Sequence, residues 1–506
     1  MTPTMNANLY ALFETRFPAD RTACCIETHD GRYYSWNDLD RASAKIANLL
    51  QKLKLPAGAR VAVQVEKSPE ALILYLATLR AGYVYLPLNT AYRAAEVAYF
   101  INDAEPSVVV STPGNFGWVS QIAFASGTRH VFTLGDDGTG SLLVRAAHQS
   151  SRFETVAKKD DELAAILYTS GTTGRSKGAM LTHRNLATNA RTLHEYWHWQ
   201  PGDVLLHALP LFHVHGLFVA SHCALLNGSK MIFMPKFDAA DVLRLLPRAT
   251  VFMGVPTYYV RLLAEPAFDR AACSGVRLFV SGSAPLLAET FRAFADRTGH
   301  TILERYGMSE TNMLASNPYF GDRVAGTVGP PLPGVSIRVV KGDGTLCTGD
   351  EIGDIQVKGP NVFSGYWRMP EKTAEEFTRD RYFRTGDVGR FDARGYLTIV
   401  GRSKDLIISG GYNVYPKEIE SFIDDMEGVA ESAVIGIPHP DFGEAVMAVI
   451  VKKPGATLTE KEVIAYLKAR IANFKVPKRV EFVAELPRNT MGKVQKNQLR
   501  NRFGGN

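Results

Sequence analysis

Residues 169–177 combine hydroxyl groups, glycines and one lysine directly after an apolar run at residues 164–168. Glycine lets a backbone approach a ligand closely and adopt positive φ angles. Exposed N–H groups, hydroxyls and a lysine together form a cradle for phosphate oxygens. We therefore expect a phosphate-gripping loop at the end of a buried strand. The residues expected to bind phosphate are Thr169, Ser170, Gly171, Thr172, Thr173, Gly174 and Lys177.

The spacing of this loop differs from that of a P-loop, which requires G-x-x-x-x-G-K-[ST]. Counted from Gly171, the second glycine comes only three residues later, at Gly174. Lys177 is followed by Gly178 rather than by Ser or Thr. A P-loop kinase or ATPase is therefore disfavoured.

The elements around the loop predict an α/β protein. Short apolar runs such as AAILYTS, TVFMGVP and VRLFVSGS alternate with helical patterns, which indicates helix-covered, largely parallel sheets with catalytic loops at the strands' carboxyl ends. After about residue 325 the chain becomes rich in Gly and Pro, which predicts a smaller β-rich subdomain. The last hundred or so residues predict a separate, small α+β unit. We expect an N-terminal domain at residues 1–401 and a C-terminal domain at residues 402–506.

Composition places further bounds on function. A chain of 506 residues exceeds what one hydrophobic core usually supports, and its net charge of +6 does not argue for nucleic acid as a partner. No run approaches 18 consecutive apolar residues, so we expect no membrane partner. Five cysteines without a CxxC pair, and no secretory pattern at the start, predict a cytoplasmic protein. Nothing in the sequence indicates an oligomeric state.

Several motifs occur in the order typical of one enzyme family. They are YTSGTTGRSKG (168–178), ERYGMSET (304–311), YFRTGDVGRFDARGY (382–396), GRSKDLIISGGYNVYPKEIE (401–420) and PRNTMGKVQK (487–496). On these motifs the chain resembles the adenylate-forming enzymes, which include acyl-CoA synthetases, luciferases and peptide-synthetase adenylation domains. The resemblance implies a two-step ligase: a carboxylate attacks the α-phosphorus of ATP, and a thiol then attacks the acyl adenylate.

The resemblance also implies roles for single residues in the ATP site. Glu310 and Thr169 would bind Mg²⁺, and Tyr306 would pack on the adenine. Asp387 would accept hydrogen bonds from the ribose hydroxyls, supported by Arg402. The family commonly has Thr before the acidic residue of this motif, and the serine found here keeps the hydroxyl.

The C-terminal motifs carry the remaining roles by resemblance. Lys493 would bridge carboxylate and phosphate during adenylation, where a cation stabilises the transition-state charge. Lys404 matches the hinge position about which the small domain would turn. Gly410 and Gly411 would let the backbone pass close to the pantetheine arm of coenzyme A.

Three segments are expected to form the acyl pocket, and they closely resemble those of malonyl-CoA synthetases (malonate–CoA ligases). Arg261 and Ser283 would bind the distal carboxylate of malonate, since an arginine facing an aliphatic tail would be desolvated without compensation. A helix-surface position for Arg261 remains an alternative. His213 matches a gating position beside the reacting carboxylate, where a neutral ring and an acid–base role are both open.

Other functions remain open at this point. One is a ligase that prefers methylmalonate or another short dicarboxylate or short-chain acid, because one methyl group changes binding by only about 1–3 kcal/mol. Another is an adenylation enzyme that loads a carrier-protein thiol. A catalytically silent nucleotide-binding homologue is disfavoured by the combination of Lys177, Glu310, Asp387, Arg402 and Lys493.

Overall fold

The structure, a computed structural model, describes residues 6–169, 176–409, 412–440, 442–489 and 492–504. Short 3₁₀ turns and a π-helical segment, His215–Ser221, supplement the α-helices. In chain order the α-helices are α1 (Leu9–Glu14), α2 (Trp36–Lys52), α3 (Pro69–Arg80), α4 (Ala94–Ala104), α5 (Phe116–Ala125), α6 (Ser141–Ala147), α7 (His183–Tyr196), α8 (His222–Asn227), α9 (Ala239–Leu245), α10 (Pro256–Ala264), α11 (Ala288–Thr298), α12 (Pro370–Glu376), α13 (Pro416–Asp424), α14 (Glu460–Lys468) and α15 (Lys496–Phe503).

The strands form four sheets within the described residues. In chain order they are β1 (Cys24–Thr28), β2 (Tyr33–Ser35), β3 (Arg60–Gln64), β4 (Val84–Pro87), β5 (Val108–Ser111), β6 (His130–Thr133), β7 (Leu163–Thr169), β8 (Lys177–Thr182), β9 (Val204–His207), β10 (Lys230–Phe233), β11 (Val251–Gly254), β12 (Leu278–Ser281), β13 (Leu303–Met308), β14 (Asn312–Ser316), β15 (Ser336–Val340), β16 (Gly353–Lys358), β17 (Phe383–Phe391), β18 (Leu397–Arg402), β19 (Ile407–Ser409), β20 (Tyr412–Val414), β21 (Val429–His439), β22 (Gly443–Lys452) and β23 (Arg479–Val483).

Two largely parallel sheets make up most of the N-terminal region. One has the order β6-β5-β3-β4-β7-β8, and the other has the order β14-β13-β12-β11-β9-β10-β1-β2. Their antiparallel pairs lie at the edges, namely β7–β8, β13–β14 and β1–β2. Helix α3 is apolar on nearly every side and buried along its whole length, as expected for a helix enclosed in a core rather than lying on a surface. The Ser68 hydroxyl caps its start by accepting a 3.1 Å hydrogen bond from the Ala71 amide.

The remaining two sheets are smaller. An antiparallel sheet, β15-β16-β17-β18, forms the β-rich region and ends at Arg402. After a 3₁₀ turn at Ser403–Asp405 the chain enters the sheet β20-β19-β22-β21, in which β23 pairs with β22. This last sheet has an apolar core of its own, built with helices α13 and α14. The four sheets and their helices form the α/β architecture with a terminal α+β unit.

The C-terminal unit contacts the N-terminal region at two places that concern the site. Lys453 Nζ lies 2.8 Å from Glu289 Oε1 on α11. Gly492 lies against Thr257 at the start of α10, where an added Cβ would come within 3.2 Å of the Thr257 side chain. The loop that carries Lys493 is therefore seated beside α10. Among the described residues no helix is long and apolar enough to cross a membrane.

Candidate active site

The base of the phosphate loop is a β-hairpin. Thr169, at the end of β7, and Lys177, at the start of β8, face each other in register. Tyr168 donates a short hydrogen bond to the Asp103 carboxylate, and the Tyr99 hydroxyl donates to the Ser176 carbonyl at 2.7 Å. Helix α4, which carries both Tyr99 and Asp103, thus anchors both stems of the hairpin. The other predicted loop residues, Ser170, Gly171, Thr172, Thr173 and Gly174, lie outside the described residues.

Lys177 and Glu310 are connected through one tyrosine. The Lys177 ammonium lies 4.3 Å from the centre of the Tyr366 ring and 3.7 Å from Glu376 Oε1. The Tyr366 hydroxyl donates to Glu310 Oε1 at 3.0 Å. Burial raises the pKa of the Glu310 carboxyl, while the Tyr366 hydrogen bond and the cations Arg402 and Lys177 act in the opposite direction. The loop base and a buried carboxylate therefore share one polar cluster.

Asp387 lies at the centre of a second polar cluster. Arg402 forms an ion pair with Asp387, with Nε 2.7 Å from Oδ1, and the Tyr306 hydroxyl donates to Asp387 Oδ2. The pairing follows from β-sheet register, since Asp387 on β17 and Arg402 on β18 are direct cross-strand partners. The negative charge of Asp387 raises the pKa of Arg402, which keeps the guanidinium charged. Three of the predicted ATP-site residues are thus held together.

Lys493 lies within electrostatic reach of that second cluster. Burial and the nearby Arg402 cation lower the pKa of Lys493, while Asp387 and Asp405 oppose the shift. The backbone N–H of Lys493 donates to Asn489 Oδ1 at 2.9 Å, which shapes the turn that carries it. Burial lowers the pKa of Lys404 to about 8, with Arg402 as the next cause. The predicted coenzyme A contacts, Gly410 and Gly411, lie outside the described residues.

His213 and Ser283 lie at the same buried corner. The Ser283 hydroxyl is 3.3 Å from His215 Nδ1, and the His215 backbone N–H donates to His213 Nδ1 at 3.3 Å. Burial, followed by the charge of Arg305, lowers the pKa of His213 to about 4. His213 is therefore neutral at physiological pH, with its proton on Nε2 because Nδ1 accepts. Ser283 adopts φ +73°, a left-handed conformation in which non-glycine residues are uncommon and which is frequent at functional sites.

Arg261 occupies the exposed side of α10. Its side chain reaches solvent, and it lies one helical turn beyond Tyr258, whose pKa it lowers slightly against the larger effect of burial. An exposed side chain can line an open pocket, so the expected contact of Arg261 with the distal carboxylate stays a prediction. Helix α10 buries Tyr259 and Leu262, whereas Arg261 shares the helix face of Tyr258, which lines the cavity.

Sequence reasoning missed a different arginine, Arg305, which is only 4% exposed. Its Nε and Nη2 groups are buried and have no hydrogen-bond partner within the part of the chain that the structure describes. A Cβ added to Gly282 would come within 2.4 Å of the Arg305 guanidinium carbon, so that glycine makes room for the guanidinium. Burial lowers the pKa of Arg305 to about 9, and Arg305 in turn lowers the pKa values of His213 and His215. The available signal was an arginine within the otherwise strand-like stretch before Tyr306.

A cavity of about 210 Å³ lies between the two large sheets. It reaches Phe212, next to His213, and Tyr258 on α10. Its polar lining includes Lys67, Thr90 and Lys236. The cavity therefore extends toward the histidine side of the acyl corner.

The two polar clusters form a site suited to a nucleotide, and a buried cation lies next to it. Comparison with protein families agrees with that description. Residues 13–367 match the family model "AMP-binding enzyme", and residues 418–493 match the model "AMP-binding enzyme C-terminal domain". The chain belongs to the AMP-binding enzyme family. The family and the fold class expected from the motifs are both confirmed.

Individual relatives show which kind of family member this chain is similar to. A malonate–CoA ligase of Arabidopsis thaliana is 36% identical over 98% of this chain and 89% of its own length. The crystal structure of ATP-bound MatB from Rhodopseudomonas palustris is 57% identical over 99% of both chains, with a TM-score of 0.97. The apo structure of the same protein superposes with a TM-score of 0.87 over 99% of both chains, also at 57% identity. The arrangement described here is therefore nearer to the ATP-bound form of that protein.

Proposed function

We propose that this chain joins malonate to coenzyme A, with ATP as the driving co-substrate. In the first step a malonate carboxylate attacks the α-phosphorus of ATP, which gives malonyl adenylate and releases pyrophosphate. In the second step the thiol of coenzyme A attacks the acyl carbon, which gives malonyl-CoA and releases AMP and the thiol proton. The likeness to malonate–CoA ligases supports the class of acid, and the acyl corner supports it independently.

Arg305 is the observation that carries this choice of acid. A buried guanidinium with unpartnered N–H groups is costly to leave unpaired, and it matches the geometry of a carboxylate. A monocarboxylic acid presents only its reacting carboxylate, and its aliphatic tail would meet the guanidinium without compensation. A short dicarboxylate can place its distal carboxylate on Arg305 and Ser283 while its reacting carboxylate lies beside His213. Arg261, at the helix surface, is assigned to the mouth of the pocket rather than to its floor.

Adenylation uses the two polar clusters described above. Lys177 and the residues between it and Thr169 hold the leaving phosphates, and Asp387 accepts from the ribose hydroxyls. Tyr306 packs beside the adenine. Lys493 places its ammonium between the attacking carboxylate and the α-phosphate, where negative charge accumulates in the transition state. His213, neutral because of its lowered pKa, donates from Nε2 to the reacting carboxylate rather than exchanging a proton with it.

Magnesium fits the oxygen donors near the phosphate loop. Glu310 offers a buried carboxylate and Thr169 a hydroxyl, and Mg²⁺ is usually held by one or two carboxylates together with substrate phosphates. Among the described residues no set of three or more His, Cys, Asp or Glu forms a metal site by itself, so the phosphates would complete the shell. When bound, Mg²⁺ neutralises the charge on the phosphates.

Thioester formation is assigned to a second arrangement of the C-terminal unit. We place the domain boundary between residues 401 and 402, with Lys404 in the hinge turn. Turning there would withdraw Lys493 and bring Gly410 and Gly411 toward the thiol. We assign the cavity between the large sheets to the pantetheine arm, because its lining reaches Phe212, the neighbour of His213.

We also propose a cytoplasmic location with small-molecule partners only. All five cysteines are free thiols, as expected in a reducing compartment. Cell fractionation followed by immunodetection tests the location, and recovery in a membrane pellet would contradict it.

The test of function is ATP- and CoA-dependent thioester formation with malonate, methylmalonate, acetate and octanoate, with products identified by mass. Malonate should be the best acid, with acetate poorer by roughly 10⁴-fold, the penalty expected when a site built for a polar group is left unpaired. Arg305→Met should abolish most of that discrimination by lowering malonate turnover far more than acetate turnover. Arg323→Met is the matched control, because Arg323 is a half-buried arginine whose hydrogen bonds to described residues all go to backbone carbonyls. Equal turnover of acetate and malonate by the unaltered protein would contradict the assignment of malonate as the preferred substrate.

A further inference from the structure

Lys67 is a buried lysine that lies between the two large sheets. It follows β3 in one sheet, and its ammonium contacts His207 at the end of β9 in the other sheet. Nζ is 2.7 Å from the His207 carbonyl oxygen and 2.9 Å from His207 Nδ1. It also lies 4.4 Å from the centre of the Phe233 ring. The side chain therefore ties two sheets together through one histidine.

No carboxylate explains why a lysine is buried there. Lys67 is only 8% exposed, and among the described residues no acidic side chain offsets the effect of burial, which lowers the pKa of Lys67. A buried amine without an ionised partner is destabilising unless its hydrogen bonds are needed. A well-packed apolar side chain would hold the two sheets together at lower cost. What distinguishes Lys67 from an apolar residue at this position is therefore its hydrogen bonds to His207.

His207 connects Lys67 to the segment that carries the acyl corner. Its Nε2 lies 3.0 Å from the Gly216 carbonyl oxygen and 3.0 Å from Ser221 Oγ. Because a carbonyl only accepts, Nε2 carries the ring proton, and Nδ1 must be the acceptor for Lys67. The chain of hydrogen bonds thus has one direction, from Lys67 through His207 to Gly216.

Gly216 lies at the neck of the loop that presents His213. An added Cβ on Gly216 would come to 1.9 Å from the Pro210 carbonyl oxygen, so the two ends of the 210–216 loop are pressed together. The π-helical segment His215–Ser221 begins at this neck, and π-helical turns are frequent at functional sites. The direction in which His213 points therefore depends on how this neck is held.

We propose that Lys67 and His207 are positioning residues, which hold the neck of the 210–216 loop and thereby aim His213 at the reacting carboxylate. Lys67 acts through His207, and His207 acts through the Gly216 carbonyl. The proposal rests on the proposed function, since His213 has a carboxylate to orient only if the acid is activated at this corner. It differs from a purely structural role, in which loss of Lys67 would lower stability without changing how the acid is used.

The experiment is malonate-dependent exchange of radiolabelled pyrophosphate into ATP, which reports the first step alone. Lys67→Met keeps the length of the side chain and removes its donors. We expect kcat/KM for malonate to fall about tenfold or more, because small misplacements of orienting groups reduce rates strongly. The KM for ATP should stay within about twofold, since the nucleotide clusters lie apart from this network. Tyr75→Phe is the matched control: it removes a buried 2.7 Å hydrogen bond to His222, in the helix after the π-helical segment, and should leave exchange unchanged.

A conservative pair of substitutions keeps the proposal testable if Lys67→Met does not fold. His207→Gln retains a donor for Gly216 and an acceptor for Lys67, whereas His207→Leu retains neither. Exchange should be clearly faster in the Gln variant than in the Leu variant at equal melting temperatures. Lys67→Met with normal exchange and slow thioester formation would overturn the proposal and assign Lys67 to the occupant of the cavity that it lines. Absence of exchange by the unaltered protein would instead contradict the proposed function itself.

Discussion

Asp387 and Arg402 face each other across β17 and β18, with Arg402 Nε 2.7 Å from Asp387 Oδ1. Arg402 is the last residue of β18 and lies immediately before the hinge turn. One ion pair therefore connects the expected ribose contact with the point at which the C-terminal unit begins. A change at either residue should affect nucleotide binding and domain movement together.

Asp387→Asn should raise the KM for ATP about tenfold, because a hydrogen bond to a charged group contributes roughly 1.5–3 kcal/mol. Initial rates of malonate-dependent pyrophosphate exchange against ATP concentration measure this. Asp380→Asn is the control, since Asp380 pairs with Arg338 at 2.6 Å on the exposed part of the same small sheet. An unchanged KM for ATP in Asp387→Asn would show that Asp387 does not contact the ribose.

Lys493→Ala should lower pyrophosphate exchange by about 10²–10³-fold, the typical loss for one transition-state donor or cation. Thioester formation from supplied malonyl adenylate should be largely retained, because the lysine is withdrawn in that step. Lys468→Ala, an exposed lysine on α14, is the control. Full exchange activity in Lys493→Ala would mean that another group stabilises the adenylation transition state.

Adenylation should decline at high pH earlier than an ordinary lysine would allow. Lys493 must be charged, and its pKa is lowered by burial and by Arg402, so the needed charge is lost as pH rises through a value below the usual 10.4 or so. Lys493→Arg should move this alkaline limb upward even if its maximum rate is lower. Lys404, whose pKa is about 8, also loses its charge at alkaline pH, so the limb is also measured in Lys404→Met. Disappearance of the limb in Lys404→Met would assign it to Lys404.

Glu304 should make the protein less stable as pH rises from about 4 to about 7. Burial raises the pKa of its carboxyl to about 7, whereas the unfolded chain has an ordinary value near 4.3. Between these values the folded state binds the additional proton, so stability is full below about pH 4 and falls as pH rises through about 7. Glu304→Gln keeps the acceptor for the Leu286 amide, a 3.0 Å hydrogen bond, and removes the titration.

Thermal unfolding at pH 5 and pH 8 measures the effect of Glu304. The glutamine variant should gain stability over the unaltered protein at pH 8 by up to about 3 kcal/mol, and should gain much less at pH 5. Glu289→Gln on α11, a half-exposed carboxylate, serves as the control. An equal gain at both pH values would show that Glu304 does not titrate in this range.

Local sequence patterns were sufficient to predict many features of this protein. A Gly-, Ser- and Thr-rich stretch after an apolar run predicted a loop at the end of a buried strand, and that strand is β7, which ends at Thr169, because turn chemistry and strand periodicity are properties of neighbouring residues. The ordered motifs identified the family and its fold class. The same order singled out Lys493, which alone would be read as part of an exposed basic turn.

Other features depend on contacts between distant segments. Arg261 is exposed on α10, whereas Arg305, which the sequence did not single out, is the cation buried at the acyl corner. Residue type could not distinguish the two arginines, because burial is set by which helix face or strand side the rest of the fold covers. The link from Lys67 to His207 spans 140 residues and two sheets.

The sequence by itself determined the class of chemistry, the order of the catalytic segments and the elements that carry them, since these follow from residue types and short spacings. Only the tertiary structure decided which arginine is desolvated, which tautomer His207 adopts and where His213 points. Desolvation and hydrogen-bond direction depend on atoms brought together from several strands and helices, and no short stretch of the chain contains them.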